Sequence, residues 1–203
     1  MVDRPAKLSS CALTLERDMD LLGVIGIEDE LQDGVAESIR TMQDAGINVW
    51  MITGDKAETA VAIGKMCSLL NETEHSIERV VGLTGDMLRA RISELSAVVA
   101  AYISDLNPKK KQIGLLIDGT SLEGIFVHPD VKLKLQWLVE HIPTVVACRV
   151  SPLQKAALVR LVQTGPSAPI TLAIGDGAND VGRLGLGLGL GLGLGLGLDR
   201  TCL

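Results

Sequence analysis

The sequence predicts an α/β fold in which a mainly parallel sheet is covered by helices on both faces, giving three layers. Three observations point to it. Short apolar runs of strand type recur along the chain, amphipathic stretches of ten or more residues separate them, and small polar residues follow most of the runs. Strands buried on both faces read as continuous apolar segments, and a return to the same sheet edge needs a crossover of helical length.

LLGVIGI (21–27) is the first expected strand. Val35, Ile39 and Met42 then recur at helical spacing, and Gly46 ends that helix. INVWMI (47–52) gives the second strand, followed by a helix through Thr59, Ile63 and Cys67. Beyond a stretch without clear pattern, Leu88, Ile92, Leu95, Val99 and Tyr102 mark a third amphipathic helix, and IGLLI (113–117) a third strand. Residues 130–141 supply a further helix, apolar at Val131, Leu135, Leu138 and Val139, and TVVAC (144–148) a fourth strand. Ser151-Pro152-Leu153-Gln154 combines an N-cap serine, a proline at the first helical position and a glutamine three after the cap. That helix should run to about Gln163, with Gly165 closing it, and ITLAI (170–174) is the last expected strand.

Composition narrows the function classes. With 47% apolar and 22% charged residues and a net charge of −6, the 203-residue chain reads as one globular domain, and nucleic acid is not an expected partner. Cys11, Cys67, Cys148 and Cys202 show no CxxC spacing and follow no N-terminal apolar signal, so reduced cytosolic thiols are expected. His75, His128 and His141 are scattered, and no metal role is assigned to them. No run reaches the roughly 20 apolar residues of a membrane-spanning helix. The Gly-Leu repeat of residues 184–198 is too short for one, and each glycine costs about 1 kcal/mol in a helix.

In parallel sheets, ligands bind beyond the carboxyl ends of the strands. The residues that follow the expected strands are Thr53-Gly54-Asp55, Asp118-Gly119, Arg149 with Lys155 a turn later, and Asp176-Gly177-Ala178-Asn179-Asp180. Two carboxylates in a glycine-spaced loop suit Mg²⁺, whose remaining positions take water and phosphate oxygens. Asn179 offers a neutral donor, Lys155 a point charge, and Thr53 a hydroxyl with its amide, a set suited to holding a phosphoryl group. Taken singly, TGD or DG after a strand is ordinary turn chemistry, and Lys109-Lys110-Lys111 is a solvated run. Asp176, Asn179 and Asp180 within five residues fit a turn less well, because without a cation the carboxylates repel.

Five stretches stand together in a telling order: IEDELQDGV (27–35), MITGDKAETAVAIG (51–64), IDGTSL (117–122), ACRVSPLQKA (147–156) and AIGDGANDV (173–181). From about Leu13 to Val181 the chain resembles the phosphorylation domain of P-type ATPases, specifically the phospholipid-flippase, or type IV, branch. Cation pumps of that superfamily usually carry a DPPR-like stretch where this chain has EDELQDGV, and GDGVNDAP where it has GDGANDV. The resemblance implies a Rossmann-like domain of the haloacid-dehalogenase type, incomplete at both ends. It implies an unstructured segment over residues 1–12, a partial phosphorylation domain over 13–182, and a low-complexity tail over 183–203.

By the same resemblance, Thr53, Gly54 and Asp55 would contact nucleotide or phosphoryl group, with Arg149 and Lys155 at the ATP. Asp176 and Asp180 would hold Mg²⁺, Asn179 and Asp180 would orient the phosphate, and Thr53, Lys155 and Asp180 would serve catalysis. The implied whole is an ATP-driven phospholipid transporter, an integral membrane protein of which this would be a cytosolic domain, with phospholipid and an accessory subunit as further partners. Its aspartyl-phosphate forms on a DKTGT motif, which does not occur here and is expected upstream of Met1. Alternate readings are a truncated fragment that binds Mg²⁺ and phosphate without turnover, and a soluble phosphatase of the same superfold. Three explanations of the Gly-Leu repeat compete: a frame or gene-model error, a genuine low-complexity tail, and an interaction segment; the first is favoured beside a metal loop.

Overall fold

A computed structural model describes residues 3–26, 31–107 and 110–175. The chain divides into two compact units, Met1–Glu30 and Leu31–Leu203. The first holds α1 (Arg4–Leu15), whose N-cap Asp3 accepts a hydrogen bond from the Ala6 amide at 3.4 Å. Most of residues 1–12, expected without structure, therefore lie in a helix. The cap and a run of good helix formers, Ala6, Lys7, Leu8 and Ala12, outweigh the missing amphipathic pattern.

The second unit contains, in order, α2 (Val35–Asp44), β1 (Trp50–Ile52), α3 (Ala57–Met66), β2 (His75–Val80), α4 (Gly85–Ser104), β3 (Gln112–Asp118), α5 (Gly119–Val127), α6 (Pro129–His141), β4 (Thr144–Cys148) and α7 (Pro152–Gln163). Four strands form one sheet in the order β1-β4-β3-β2, every pairing parallel. Registers such as Met51 opposite Val146 and Leu116 opposite Val146 fix it.

Strand periodicity sorts the side chains into two cores. Ile113, Leu115, Ile117, Val145 and Ala147 pack on Leu88, Ile92, Leu95 and Val99 of α4, with α5, α6 and α7 contributing to the same cluster. Leu116, Val146, Cys148 and Met51 face the other way, onto Ile39 of α2 and Ala60, Val61 and Ile63 of α3. The result is the expected three-layer parallel α/β architecture of the Rossmann-like, haloacid-dehalogenase type. Helix α4 buries one stripe, the 88-92-95-99 spacing read from the sequence.

Two expected strands do not form. Residues 21–26 and 170–174 have no regular structure, and their apolar side chains lie in solvent, Leu22 at 99% and Ile170 at 88% exposure. An apolar run becomes a strand only by hydrogen bonding to a neighbour, and no strand among the described residues pairs with either segment. The second strand is shorter than expected, starting at Trp50, although Val49 is buried. Conversely, β2 and α5 had no place in the sequence reading. HSIERV is a sheet-edge strand with only its two ends buried, so it lacks an apolar run. For α5 the clue is Asp118, whose side chain caps the helix through the Ser121 amide, followed by buried Leu122 and Ile125. No described helix is long and apolar enough to cross a membrane.

Candidate functional site

Because all four strands run the same way, the segments after their carboxyl ends share one rim. Thr53 follows β1, Gly82 lies just past β2, Gly119 follows β3 and Arg149 follows β4. Hydrogen bonds tie these segments to one another, so the rim is a connected surface.

Thr53 is 3% exposed and continues the β1–β4 pairing past the strand end, its amide donating to the Ala147 carbonyl at 2.8 Å. Its hydroxyl donates to Asp55 Oδ2 at 2.7 Å and accepts from the Asp55 amide at 3.1 Å, closing a tight Thr-Gly-Asp turn. The carbonyl of Asp55 then accepts from the Arg149 amide at 2.8 Å, and that of Thr53 from the Val150 amide at 3.2 Å. Arg149 is exposed and adopts φ 50°, a left-handed conformation uncommon for a residue with a side chain. Gly54 is exposed, and a Cβ added there would meet nothing within 4 Å, which leaves open space above the turn.

Helix α7 begins beside Arg149 with the full capping box foreseen from the sequence. The Ser151 hydroxyl accepts from the Gln154 amide at 3.3 Å, and Gln154 Oε1 accepts from the Ser151 amide at 2.9 Å. Lys155 is on the first turn and only 9% exposed, an arrangement lysine rarely adopts without electrostatic compensation.

The β3 end carries groups whose role the sequence left undefined. Asp118 is buried; its Oδ1 accepts from the Ser121 amide at 2.9 Å and its Oδ2 from the Gly82 amide at 3.0 Å. The Ser121 hydroxyl accepts from the Leu83 amide at 3.1 Å. This pair therefore locks the β2–α4 turn to the start of α5. Gly82 and Gly85, both with positive φ, bracket that turn and are its sequence signal. Beside them, burial, assisted by the charge of Asp118, pushes the Cys148 thiol up to about 11.

Of the expected site, hydrogen bonds thus join the Thr53–Gly54–Asp55 turn to Arg149, and Lys155 lies one turn into the helix that follows. Asp176, Asn179 and Asp180 lie outside the described residues, as does the Gly-Leu repeat. Among the described residues no group of three His, Cys, Asp or Glu side chains is placed to hold a metal ion. What this edge offers an anion is the side chain of exposed Arg149 and the Gly54 amide at the open face of the turn, with Lys155 one turn into α7. A depression of about 340 Å³ between α4 and α6, lined by Ser96, Leu133, Lys134 and Trp137, lies on the helix bodies and mostly on apolar surface. It includes none of residues 53–55, 149 or 155.

No family model matches the chain. Individual proteins do. It is 40% identical over 181 residues to phospholipid-transporting ATPase DRS2 of Saccharomyces cerevisiae, an alignment covering 88% of this chain and 13% of that protein. To phospholipid-transporting ATPase DNF1 of the same yeast it is 38% identical over 202 residues, covering 89% of the chain and 13% of the relative. The human phospholipid-transporting ATPase IH is 36% identical over 195 residues, covering 88% and 17%. The chain thus spans between about an eighth and a sixth of the length of these curated relatives. With a parallel sheet of the haloacid-dehalogenase type and alignments that run through most of its residues, the chain belongs to the type IV P-type ATPases, of which it represents one segment.

Proposed function

We propose that this segment supplies the phosphoryl- and ATP-contacting rim of a phospholipid-transporting ATPase that works through an aspartyl-phosphate. The observation that carries the reading is the hydrogen-bonded union of the Thr53–Asp55 turn with Arg149–Val150, beside a buried Lys155 on the first turn of α7. Separate surface cations would be solvated and weak. Here the Thr53–Asp55 turn and the backbone of Arg149 and Val150 belong to one hydrogen-bonded edge of a sheet, with Lys155 on the next helical turn, the fixed scaffold that phosphoryl transfer needs for positioning and charge stabilisation.

In this reading Lys155 and Arg149 hold the ATP phosphates, and the Thr53–Gly54–Asp55 turn, whose outer amides are tied to Ala147 and to the Thr53 hydroxyl, presents the Gly54 amide to the transferring group. Gly54 keeps that approach open. Mg²⁺ would be held by Asp176 and Asp180, with Asn179 and Asp180 orienting the phosphate; the bound ion supplies charge neutralisation for the phosphoryl oxygens. The site would belong to a cytosolic domain of a membrane protein. Phospholipid, and an accessory subunit, would be partners of the whole transporter.

Calorimetric titration of the 203-residue chain with Mg²⁺·ATP tests this. Lys155→Ala and Arg149→Ala should each weaken binding by roughly 10- to 100-fold, the range of a charged hydrogen bond of about 1.5–3 kcal/mol. Since the sequence has no DKTGT motif, phosphate release by this chain should be negligible. Unchanged affinity in both variants, or steady turnover by the chain alone, refutes the proposal.

A further inference from the structure

Arg149 holds a backbone conformation that its own side chain disfavours, and nothing local to residues 148–150 accounts for it. The structure points to a neighbour. Gly119, the first residue of α5, lies so close to Arg149 that a Cβ built on it would stand 2.2 Å from the Arg149 carbonyl oxygen and 3.1 Å from the carbonyl carbon. The side-chain amide of Gln154 donates to the Gly119 carbonyl at 2.7 Å, while its oxygen serves the capping box at the Ser151 amide. On the far side, the Arg149 amide is held by Asp55. Residues 149–151 are therefore gripped from both sides, by the Thr53–Asp55 turn and by the Gln154–Gly119 tie.

We propose that Gln154 is a positioning residue for nucleotide binding: its side-chain amide draws the β3–α5 turn against Arg149 and keeps residue 149 in the left-handed conformation that presents it at the rim. Gly119 is the other half of the device, since only a residue without Cβ permits the approach. Strained backbone persists where the surroundings over-determine it, and such positions gather at ligand clamps. The inference rests on the reading that Arg149 contacts nucleotide, so the experiment must separate the two.

Gln154→Glu does so. The carboxylate keeps an oxygen for the Ser151 amide and suits a helix N-terminus, so the cap survives. It removes the donor to Gly119 and sets two oxygens against each other. Ser151→Ala is the complement, removing the hydroxyl half of the cap and leaving the tie to Gly119 intact. Calorimetry with Mg²⁺·ATP should show about tenfold weaker binding for Gln154→Glu, corresponding to loss of one hydrogen bond and the conformation it holds. Ser151→Ala should bind as wild type while melting lower. In ¹⁵N-labelled Gln154→Glu, the three-bond amide–Hα coupling of Arg149 should move away from its wild-type value, a change that a purely capping role would not produce.

Equal loss of affinity in Ser151→Ala and Gln154→Glu overturns the proposal, because Gln154 would then act through the helix cap alone. Wild-type affinity in Gln154→Glu, with Arg149→Ala weakened, overturns it and leaves the nucleotide reading standing. Wild-type affinity in Arg149→Ala removes the reading itself, and the proposal with it. Should Gln154→Glu fail to fold, Gln154→Met removes both the donor to Gly119 and the acceptor for the Ser151 amide; weaker binding than Ser151→Ala together with a moved Arg149 coupling then supports the proposal, and affinity and coupling equal to those of Ser151→Ala overturn it.

Discussion

Replacing Gly119 by alanine puts the closeness of the β3–α5 turn to Arg149 under a direct test. The new methyl would sit 2.2 Å from the Arg149 carbonyl oxygen and 3.0 Å from Gln154 Oε1, where ordinary contact begins near 3.4 Å. About 1.2 Å must be made up against backbone, which cannot rotate away as a side-chain end can. Overpacking of that kind costs about 1–3 kcal/mol, and loss of the 2.7 Å bond from Gln154 to the Gly119 carbonyl adds about 1 kcal/mol. Alanine regains about 1 kcal/mol of helix propensity in α5, leaving a net destabilisation of roughly 1–3 kcal/mol. For a chain of this size that is a fall in Tm of roughly 3–10 °C. Thermal melts followed by far-ultraviolet circular dichroism should rank three variants. Gly54→Ala, with nothing within 4 Å of the added Cβ, should melt with wild type or slightly above. Gly124→Ala meets only Leu88 Cδ2 at 2.7 Å, a movable methyl, and should lose at most about 1 kcal/mol. If Gly119→Ala melts together with Gly54→Ala, the described approach of the two loops is wrong.

Asp118→Asn leaves one acceptor oxygen for the two amides of Ser121 and Gly82, and should cost about 1–2 kcal/mol in urea unfolding, with faster amide exchange at Gly82. Thr53→Val keeps the shape but removes both hydroxyl bonds to Asp55; a loss of about 1–2 kcal/mol is expected, and unaltered stability would mean the turn does not need them. Leu95→Ala, at a fully buried position of α4, should cost about 2–5 kcal/mol by the same urea assay. Cys148 provides a pH signature. Its thiol is held protonated in the fold, so its contribution is fully present below the ordinary value of 9.0 and is lost as pH rises towards about 11. Urea midpoints of wild type should fall more steeply between pH 9 and 11 than those of Cys148→Ala, and iodoacetamide should label Cys148 only slowly in the native protein.

How far the sequence revealed the fold depended on whether a feature is local. The 88-92-95-99 stripe of α4 and the capping box of α7 are written within a few residues, and both stand as read. That residues 53–55 and 149 lie on one edge, with Lys155 a turn beyond, was legible for a related reason: once strands alternate with crossovers, their carboxyl ends must share an edge. β2 was not legible, because an edge strand with polar middle residues has no apolar signature and takes its identity from pairing His75–Val80 with Gln112–Ile117. The double bonding of Asp118 and of Gln154 was equally hidden. Each reaches a segment 35 or 36 residues away, to the Gly119 carbonyl from Gln154 and to Asp118 from the Gly82 amide, and no short-range pattern marks such partners.

The two strands that failed to appear carry the same lesson in the opposite direction. Both 21–26 and 170–174 have the aliphatic composition of buried strands, yet Leu21, Leu22, Val24, Ile25, Ile170 and Leu172 are each mostly exposed. A fully exposed leucine forgoes about 1.5–3 kcal/mol relative to burial, so six such side chains are a substantial unrealised gain. Propensity alone does not capture that gain, since extended backbone also needs a hydrogen-bonded neighbour for its amides and carbonyls. The four strands that do form each have such a neighbour in the sheet. What decides between strand and open chain here is therefore the presence of a pairing edge, and hydrophobicity only states which residues would benefit from one.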